Sequence, residues 1–421
     1  MRATLPVRVL ARCFLSSGLS AEAFTQAAER ALGRHFSWIA PLGRRMVRQF
    51  AGGTRPRERD VVRYLMRFHR FRGRTSRIKI ASAITGAQGM QPVPAAESWN
   101  VPAIGTLREL AEWLDVTLPE LEWFADLKGL NSQPGGNALS HYHLRPMLKR
   151  NGALRLIETP KPRLKAMQRR ILHEILDRVP PHEAVHGFVR GRSIKSFAGA
   201  HCGRAVVLRM DFEDFFPSFS RGRIQSFFRT VGYPEAVADR LGGLCSSVVP
   251  GSSELYARPH LPQGAPTSPA LANVCCYRLD CRLRGLAASA GAEYGRYADD
   301  LAFSGDREFR RHIENFAAHV AVIAAEEGLR VNHRKTRIMR AGVRQRLTGL
   351  ICNSNPNILR AEFDCLKATL YNCVRHGPES QNRDSHPAFR QHLEGRLAYC
   401  EMINAAKAQR LRRLFEQVSW R

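Results

Sequence analysis

Two adjacent aspartates, Asp299 and Asp300, stand between two runs of residues that are typical of β-strands. Residues 294–297 and 301–304 are rich in apolar and aromatic side chains, and the two aspartates fill the short connection that a tight hairpin needs. Like charges side by side repel, and each carboxylate resists burial between apolar strands. We therefore expect a positive group to lie against this turn in the folded chain.

Divalent cations are the expected positive groups. Two Mg²⁺ ions about 3.5–4 Å apart would each bind carboxylate oxygens, one activating an attacking hydroxyl and the other neutralising a leaving pyrophosphate. Such a site needs a third carboxylate. Asp211 ends the apolar run 206–210, which is predicted to be a buried strand, whereas Asp214 is predicted to be a surface or helix-capping residue. The pattern thus predicts a two-metal site, with Mn²⁺ as the alternative cation.

Charge points to a polyanionic partner. The 421 residues carry 65 Lys and Arg against 37 Asp and Glu, a net charge of +28 that suits nucleic acid better than a neutral small substrate. The densest basic stretch, residues 44–79, is predicted either to lie along phosphates and stack on bases, or to be a solvated arginine-rich surface. The interleaved apolar side chains there are Phe50, Tyr64, Met66, Phe68 and Phe71.

Cysteine usage and hydropathy favour a cytoplasmic protein. The ten cysteines form no C-x-x-C pair and no zinc-spaced cluster with histidine, so we expect them to be reduced. No run of about 18 apolar residues is present, which predicts no membrane partner. The start of the chain lacks the continuous apolar stretch of a secretory signal.

The pattern along the chain divides it into four predicted regions. Capping-box sequences at Thr106 and Thr117 predict two short helices after a Gly/Pro/Ala-rich stretch, residues 86–105, with the composition of a linker. The predicted regions are a basic helical N-terminal extension (1–90), a helical lead-in (91–135), an α+β domain (136–350) and a helical tail (351–421). The tail's apolar stripes comprise Leu366, Leu370, Cys373, Leu393, Leu397, Met402 and Ile403.

Three motifs, in chain order, resemble those of reverse transcriptases. Residues 210–218 (MDFEDFFPS) resemble the first catalytic motif, residues 261–269 (LPQGAPTSP) the segment that approaches the incoming nucleotide, and residues 297–305 (YADDLAFSG) the YxDD signature. The resemblance implies an α+β right-hand polymerase with fingers and an antiparallel palm sheet in residues 136–350 and a thumb in 351–421. It also implies RNA-directed DNA synthesis from dNTPs.

The same resemblance assigns roles at the catalytic centre. It gives the metal ions to Asp211, Asp299, Asp300 and the backbone carbonyl of Phe212. Residues 328–336 resemble the motif whose lysine lies near the triphosphate, so Lys335 would protonate or electrostatically assist the leaving pyrophosphate. The alternative for Lys335 is an ordinary surface lysine.

A nucleotide pocket is implied as well. Its expected members are Lys149, Arg155, Lys165, Phe216, Gln263 and Gly264. Arg155 is the best candidate for a triphosphate clamp, whereas Lys149 and Lys165 suit template-backbone contacts equally well. Gly264 gives close backbone access, and Gln263 can donate to the nucleotide. Phe216 stands where reverse transcriptases place an aromatic gate against the ribose 2′-hydroxyl; the alternative is a core aromatic beside Phe215.

Further motifs resemble retron reverse transcriptases, bacterial enzymes that make a branched RNA–DNA hybrid (msDNA) from a noncoding RNA. The helical segments at 110–126 and the finger-like motifs at 159–172 and 186–194 carry this resemblance. The family's NAxxH appears as residues 197–201 (FAGAH), with Phe197 in place of Asn, and its VTG appears as residues 347–349 (LTG). The implied RNA-binding residues are His201, Thr348, Gly349, Arg410, Arg412 and Arg413.

The retron resemblance also implies partners. They are a cognate structured RNA that serves as template and primer, its DNA product, dNTPs and an accessory effector protein, in the bacterial cytoplasm and in antiphage defence. The alternatives are a group II intron-type or other defence-associated reverse transcriptase, an RNA-dependent RNA polymerase, and a non-catalytic RNA-binding protein on the same fold. The absence of a C-x-x-C disfavours the first, and the three intact aspartates disfavour the last.

Overall fold

The computed structural model describes residues 5–17, 19–50, 56–67, 80–81, 89–129, 140–148, 154–249, 252 and 254–420. The chain divides into two compact units. Unit 1 comprises Met1–Pro180 and Phe216–Cys275, and unit 2 comprises Pro181–Phe215 and Cys276–Arg421. Within the described ranges, no helix is both long enough and apolar enough to cross a membrane.

Helices dominate both units. In the described residues the α-helices are Leu5–Ser16 (α1), Ala21–Leu32 (α2), Ile39–Phe50 (α3), Glu58–Arg67 (α4), Leu107–Leu114 (α5), Leu118–Ala125 (α6), Pro162–Glu174 (α7), Ile194–Ala200 (α8), Arg221–Val231 (α9), Glu235–Leu244 (α10), Glu254–Ala257 (α11), Ser268–Cys275 (α12), Tyr277–Ser289 (α13), Arg307–Arg311 (α14), Ile313–Glu326 (α15), Arg360–His376 (α16), Phe389–Ile403 (α17) and Ala405–Glu416 (α18). The strands are Tyr142–Leu148 (β1), Leu154–Pro160 (β2), Val206–Glu213 (β3), Glu293–Tyr297 (β4), Asp300–Gly305 (β5), Arg330–Val331 (β6), Arg337–Arg340 (β7), Arg346–Leu347 (β8) and Leu350–Ile351 (β9).

The N-terminal helices α1–α4 of unit 1 enclose a hydrophobic core of their own. Phe50, Tyr64 and Met66 pack against that core, with the Phe50 and Tyr64 ring centroids 5.7 Å apart. The prediction that these side chains stack on bases is therefore wrong. Phe68 and Phe71 lie outside the described residues.

The segment before α5 is packed rather than extended as a linker. The Gln91 N–H donates to the Gly232 carbonyl (2.9 Å), and the Tyr233 hydroxyl donates to the Pro102 carbonyl (3.0 Å). The stretch 94–99 forms a short 3-10 helix. Residues 89–105 therefore belong to the body of unit 1, because these hydrogen bonds hold them against the end of α9.

The two short helices that the capping boxes predict are present. The Thr106 hydroxyl accepts from the Glu109 N–H (3.1 Å) at the start of α5, and Thr117 and Glu120 form a reciprocal capping box at the start of α6. Side-chain caps satisfy N–H groups that have no partner within the helix. The local sequence was sufficient here because both partners lie within one helical turn.

Unit 2 contains an antiparallel sheet of order β4-β5-β3-β6, with β7 also paired to β3. Its central strand, β3, is buried along most of its length. β3 continues two residues past Asp211 to Glu213, and Asp300 belongs to β5. The predicted strand end and turn are thus each displaced, because the Phe212–Val331 pairing extends β3 and the hairpin turn is formed by Ala298 and Asp299.

The C-terminal helices α16–α18 share one hydrophobic core with α8, β3 and β5 of unit 2. The predicted apolar stripes are buried at Leu366, Leu370, Leu393 and Leu397. Met402 is the exception, with 43% of its surface exposed, because its neighbour Ile403 occupies the inward position.

Candidate active site

The sheet register brings the three predicted carboxylates together. Asp211 on β3 lies directly opposite Asp300 on β5, and Asp299 occupies the adjoining turn. The Phe212 N–H donates to the Asp299 carbonyl (3.1 Å) and ties the turn to β3. Asp211 is only 4% exposed. Like charges directly opposite each other destabilise a sheet, so this pairing demands compensation.

Two cationic side chains supply part of that compensation. Lys335 Nζ lies 2.7 Å from Asp211 Oδ1, and the Arg209 guanidinium donates to Asp300 Oδ1 through Nε (2.9 Å) and Nη2 (2.7 Å). The sequence predicts Lys335 at the catalytic centre but does not predict Arg209. The pattern that could have identified Arg209 is an arginine inside a buried strand, two residues before Asp211 and hence on the same face of that strand.

Protonation behaviour reflects the remaining negative charge. Burial, reinforced by the charges of Asp211 and Asp300, raises the pKa of Asp299 to about 6. Burial also raises the pKa of Asp300, although the Arg209 guanidinium opposes that rise. A cation placed among these groups would favour their ionised forms.

The carboxylates fit a hard cation by chemistry, but their side chains do not form a closed cage. In the described parts of the chain, no three Asp, Glu, His or Cys side chains are grouped so that they hold a metal ion as they stand. Lys335 and Arg209 each contact a carboxylate oxygen of this group. Carboxylate and carbonyl oxygens are the ligands that Mg²⁺ prefers.

A buried ion pair supports the turn from behind. Arg296 on β4 and Asp280 on α13 are both 0% exposed, and the guanidinium donates to both carboxylate oxygens at 2.8 Å. Arg296 Nη1 also donates to the Ala298 carbonyl (3.2 Å). Burial lowers the pKa of Arg296, but the Asp280 carboxylate, together with nearby Cys276 and Tyr294, raises that pKa above the ordinary value overall. Sequence reasoning missed this pair.

Gly187 meets the turn from another side. A Cβ on Gly187 would lie 2.6 Å from the Ala298 nitrogen, closer than real side chains approach. Ala298 itself has φ of 56°, in the left-handed region that costs a non-glycine residue energy. Residues 186–194, predicted as a finger motif, thus begin against the aspartate turn within unit 2.

Unit 1 brings two of the predicted nucleotide-pocket segments into contact. The Glu158 N–H on β2 donates to the Gln263 carbonyl (2.8 Å). Gly264 has φ of 129°, and a Cβ there would lie 3.0 Å from the Glu158 carbonyl oxygen. Arg155 is exposed on the same strand, and Lys165 is half-buried on α7. Lys149 lies outside the described residues.

A buried histidine–carboxylate pair underlies this contact. His260 and Glu158 are 1% and 0% exposed, and His260 Nε2 lies 2.9 Å from Glu158 Oε2. His260 Nδ1 lies 2.8 Å from the Arg258 carbonyl, which can only accept, so Nδ1 carries a proton. The contact between His260 Nε2 and the Glu158 carboxylate links the two segments.

The two adjacent phenylalanines differ in environment. Phe215 is 4% exposed and stacks on Phe212, with ring centroids 5.8 Å apart and planes inclined by 5°. Phe216 is partly exposed. Phe215 is therefore the core aromatic of the pair, and the gate role of Phe216 stays a prediction.

Comparison with protein families matches residues 147–368, more than half of the chain, to the family described as reverse transcriptase (RNA-dependent DNA polymerase). Two relatives from Myxococcus xanthus are the retron Mx65 reverse transcriptase, 43% identical over 281 residues, and the retron Mx162 reverse transcriptase, 35% identical over 337 residues. The retron Ec86 reverse transcriptase of Escherichia coli is 30% identical over 259 residues. The chain belongs to the retron reverse transcriptases.

Coverage of these relatives is partial. The matches span 65%, 75% and 61% of this chain and 64%, 67% and 74% of the Mx65, Mx162 and Ec86 enzymes. Among solved structures, telomerase from Candida albicans in complex with a TWJ fragment of telomeric RNA matches with a TM-score of 0.41 at 11% identity, over 66% of this chain and 63% of its own. That structural likeness is too low to carry an argument. Family membership and the antiparallel sheet confirm the predicted α+β polymerase fold class.

The retron motif at 197–201 forms helix α8, and its histidine is internal. His201 is 0% exposed, its Nδ1 lies 2.7 Å from the Ser304 hydroxyl, and burial lowers its pKa to about 3. A neutral, enclosed imidazole does not contact RNA, so the predicted RNA-binding role of His201 is wrong. Phe197 is also 0% exposed and packs 5.9 Å from the Tyr297 ring, which makes position 197 a core position.

The other predicted RNA-binding residues lie at the surface or in turns of unit 2. Thr348 (φ 45°) and Gly349 (φ 92°) form the turn between β8 and β9. Arg412 donates to both carboxylate oxygens of Glu401 at 2.8 and 2.7 Å. The remaining thumb candidates are the exposed Arg410 and Arg413. Arg412 thus forms an ion pair within the helices, whereas Arg410 and Arg413 form none with the described side chains.

Proposed function

We propose that this retron reverse transcriptase is an RNA-directed DNA polymerase that copies a cognate structured RNA from dNTPs. The observation that carries the proposal is the placement of Asp211 opposite Asp300, with Asp299 in the adjoining turn, on an antiparallel sheet. Among the described side chains, the three carboxylates have two cationic partners, which leaves one negative charge for a cofactor to neutralise. We assign the fingers and palm to residues 136–350 and the thumb to 351–421.

The catalytic chemistry follows from these groups. Asp211, Asp299, Asp300 and the Phe212 carbonyl would hold two Mg²⁺ ions, or Mn²⁺ in their place. Bound there, such ions supply Lewis-acid activation of the primer hydroxyl and charge neutralisation at the leaving pyrophosphate. Lys335, whose ammonium lies at Asp211, is the group that we assign to donate a proton to the pyrophosphate.

Nucleotide selection is assigned to unit 1. Arg155, Lys165 and Lys149 bind the triphosphate, while Gln263 and the glycine after it contact the nucleotide. The hydrogen bond from the Glu158 N–H to the Gln263 carbonyl holds strand β2, which carries Arg155, against the loop that carries Gln263 and Gly264. Phe216 blocks the ribose 2′-hydroxyl, so deoxynucleotides are selected.

Retron function requires a specific RNA. We propose that Arg410, Arg413 and the turn at Thr348 and Gly349 contact the cognate RNA, and that the product is a branched RNA–DNA hybrid. Exposed arginines on a helix suit phosphate contacts, which supports this assignment. An accessory effector protein and a part in antiphage defence stay predictions.

Primer extension tests the proposal. Purified protein with Mg²⁺ should incorporate dNTPs on an RNA template, and Asp211→Asn should abolish incorporation without unfolding the protein. Sequencing of the nucleic acid that copurifies with the protein should show a short DNA joined to a structured RNA. Wild-type protein that incorporates no dNTP, or equal activity in Asp211→Asn, would contradict the polymerase assignment.

A further inference from the structure

The α1–α4 bundle has its aromatic side chains inside and its arginines outside. Phe14 and Phe24 are fully buried in its core, with ring centroids 5.7 Å apart. The exposed arginines of the bundle are Arg8, Arg12, Arg30, Arg34, Arg44, Arg45, Arg48, Arg59, Arg63 and Arg67. The acidic residues of the same helices and turns are Glu22, Glu29, Glu58 and Asp60. The surface is therefore strongly basic although the interior is an ordinary apolar core.

The arginines of α3 and α4 are arranged along helix faces. Arg44 and Arg48 are one turn apart on α3, and Arg59, Arg63 and Arg67 recur at every fourth position of α4. Residues four apart lie on the same helix face, about 6 Å from one another along the axis. Each helix thus presents a row of guanidinium groups to solvent.

Internal ion pairs leave much of this charge uncompensated. Asp60 Oδ1 lies 3.7 Å from Arg63 and 3.9 Å from Arg59. Arg44, Arg48 and Arg67 have no acidic oxygen within 4.0 Å among the described side chains. An exposed array of like charges lowers stability through repulsion, so an anionic partner would be favoured there.

The partner's chemistry follows from what the surface lacks. Leu5 is the exposed large hydrophobic residue in the described part of the bundle. Protein interfaces usually have a buried apolar or aromatic centre, which this surface does not offer. Guanidinium groups match phosphate oxygens through paired hydrogen bonds. The surface therefore suits a phosphodiester backbone better than an acidic protein.

The bundle is attached to the part of unit 1 that carries the nucleotide-pocket candidates. Arg57 Nη2 donates to Gln225 Oε1 on α9 (3.0 Å), and the Glu58 N–H donates to Glu235 Oε2 on α10 (2.7 Å). Gln91 Nε2 also donates to the Ser16 carbonyl at the end of α1 (3.0 Å). These contacts span long sequence separations, so the basic surface is fixed to the unit rather than carried on a free arm.

We propose that the arginine rows of α3 and α4 form a second nucleic-acid-binding surface, which binds the phosphodiester backbone of double-stranded nucleic acid without reading its sequence. The proposal rests on the proposed function, because template copying supplies the duplex that is bound. Each phosphate neutralised by an arginine releases condensed counterions, so binding here weakens steeply as salt rises.

Equilibrium binding of full-length protein to long duplexes tests the proposal. The probes are double-stranded RNA, double-stranded DNA and an RNA–DNA hybrid, each titrated at several salt concentrations. The variants are Arg44→Gln/Arg48→Gln and Arg63→Gln/Arg67→Gln. The matched control is Arg307→Gln/Arg310→Gln, which removes the same charge from exposed positions on α14 in unit 2.

Each bundle variant should bind at least one duplex about tenfold more weakly, with a log–log salt slope shallower by about 2, because about 0.9 is lost per phosphate contact. The control should keep the wild-type slope. The duplex that is most affected identifies whether RNA, DNA or the hybrid is the partner. Circular dichroism should show unchanged helix content in every variant, because glutamine has a helix propensity close to that of arginine.

Two outcomes would overturn the proposal. One is a wild-type salt slope in both bundle variants. The other is an equal loss in the control, which would show that net charge alone matters. Asp299→Asn separates this test from the polymerase assignment, since it should bind duplexes like wild type while incorporating no dNTP. Failed incorporation by the wild type alongside an altered slope in the bundle variants would count against the polymerase alone.

Discussion

Unit 2 contains two groups of buried carboxylates that differ in how their negative charge is compensated. One is Asp280, and the other is the aspartate cluster formed by Asp211, Asp299 and Asp300. Asp280 is 0% exposed and is fully matched by a bidentate guanidinium from Arg296 and by the Tyr294 hydroxyl (2.7 Å). The cluster has three carboxylates and, in the part of the chain that the structure describes, two cationic partners. The first arrangement is closed and structural, whereas the second keeps an excess negative charge that an added cation would neutralise. Charge imbalance, rather than burial, distinguishes the aspartate cluster, which we propose to be catalytic, from the structural pair.

Removing charge from the cluster gives the largest expected effect. Asp299→Asn should lower dNTP incorporation by about a thousandfold or more, since charge stabilisation in a metal-assisted reaction contributes several kcal/mol. The same change should leave the free energy of unfolding equal or higher, because it relieves repulsion with Asp211 and Asp300. Primer extension and urea unfolding measure the two effects. Asp384→Asn, an exposed control, should change neither, and a destabilised Asp299→Asn protein would contradict this interpretation.

Removing charge from the closed pair should have the opposite signature. Asp280→Asn should lower the free energy of unfolding by about 3–5 kcal/mol, because Arg296 is left buried without a counter-ion. Replacing both members, Asp280→Leu with Arg296→Met, should recover much of that stability. The rate of dNTP incorporation by the double variant should be lower than that of the wild type, because the methionine at position 296 cannot donate to the Ala298 carbonyl. Full recovery of activity would show that the pair has no part in positioning the turn.

The excess negative charge should also appear as a pH dependence of stability in protein without divalent cations. The pKa of Asp299 is raised from 3.8 to about 6, so the folded chain retains this proton in a range where the unfolded chain has lost it. Stability therefore falls as pH rises through that range, by about 3 kcal/mol in total at 1.36 kcal/mol per pH unit. Thermal unfolding in chelator should show a larger fall in the wild type than in Asp299→Asn, where the raised pKa of Asp300 still contributes. An identical profile in both proteins would refute the assignment.

The smallest expected effect comes from the neutral contact behind the turn. Gly187→Ala should destabilise the protein by about 1–3 kcal/mol and lower kcat, because the new Cβ meets the Ala298 nitrogen at 2.6 Å. Gly285→Ala on α13, where a Cβ meets nothing within 4 Å, is the matched control. Steady-state kinetics and thermal unfolding together measure the change. Unchanged kcat in Gly187→Ala would mean that the turn shifts without consequence for catalysis.

Sequence patterns predicted the parts of the site that depend on neighbours along the chain. The hairpin around Asp299 and Asp300, the buried strand before Asp211 and the two capped helices after Thr106 all follow from spacing within a few residues. Their boundaries moved by one or two positions, because strand pairing with Val331 extends β3 beyond the last apolar residue. Local alternation sets which residues share a face, but partner strands decide where an element ends.

Long-range contacts account for what sequence patterns missed. Arg209 and Asp300 are 91 positions apart, and Lys335 and Asp211 are 124 apart. His201 was assigned to RNA because its motif is shared with a family, yet packing against Ser304 encloses it. The sequence pattern left Phe50 and Tyr64 as candidates for stacking on nucleic-acid bases, but both side chains pack against the core of the α1–α4 bundle. Burial is a property of the assembled chain, and a one-dimensional pattern does not contain it.

The sequence by itself determined that the adjacent Asp299 and Asp300 had to meet a positive charge, because adjacent like charges between apolar strands are unfavourable in any fold. It also determined the order of the motifs that mark a reverse transcriptase. Only the tertiary structure decided which cations lie at which carboxylate and that Arg296 supports the turn through Asp280. The physical reason is that repulsion between neighbouring carboxylates follows from the local sequence, whereas the cationic side chains that compensate it come from distant segments and meet them only when the chain folds.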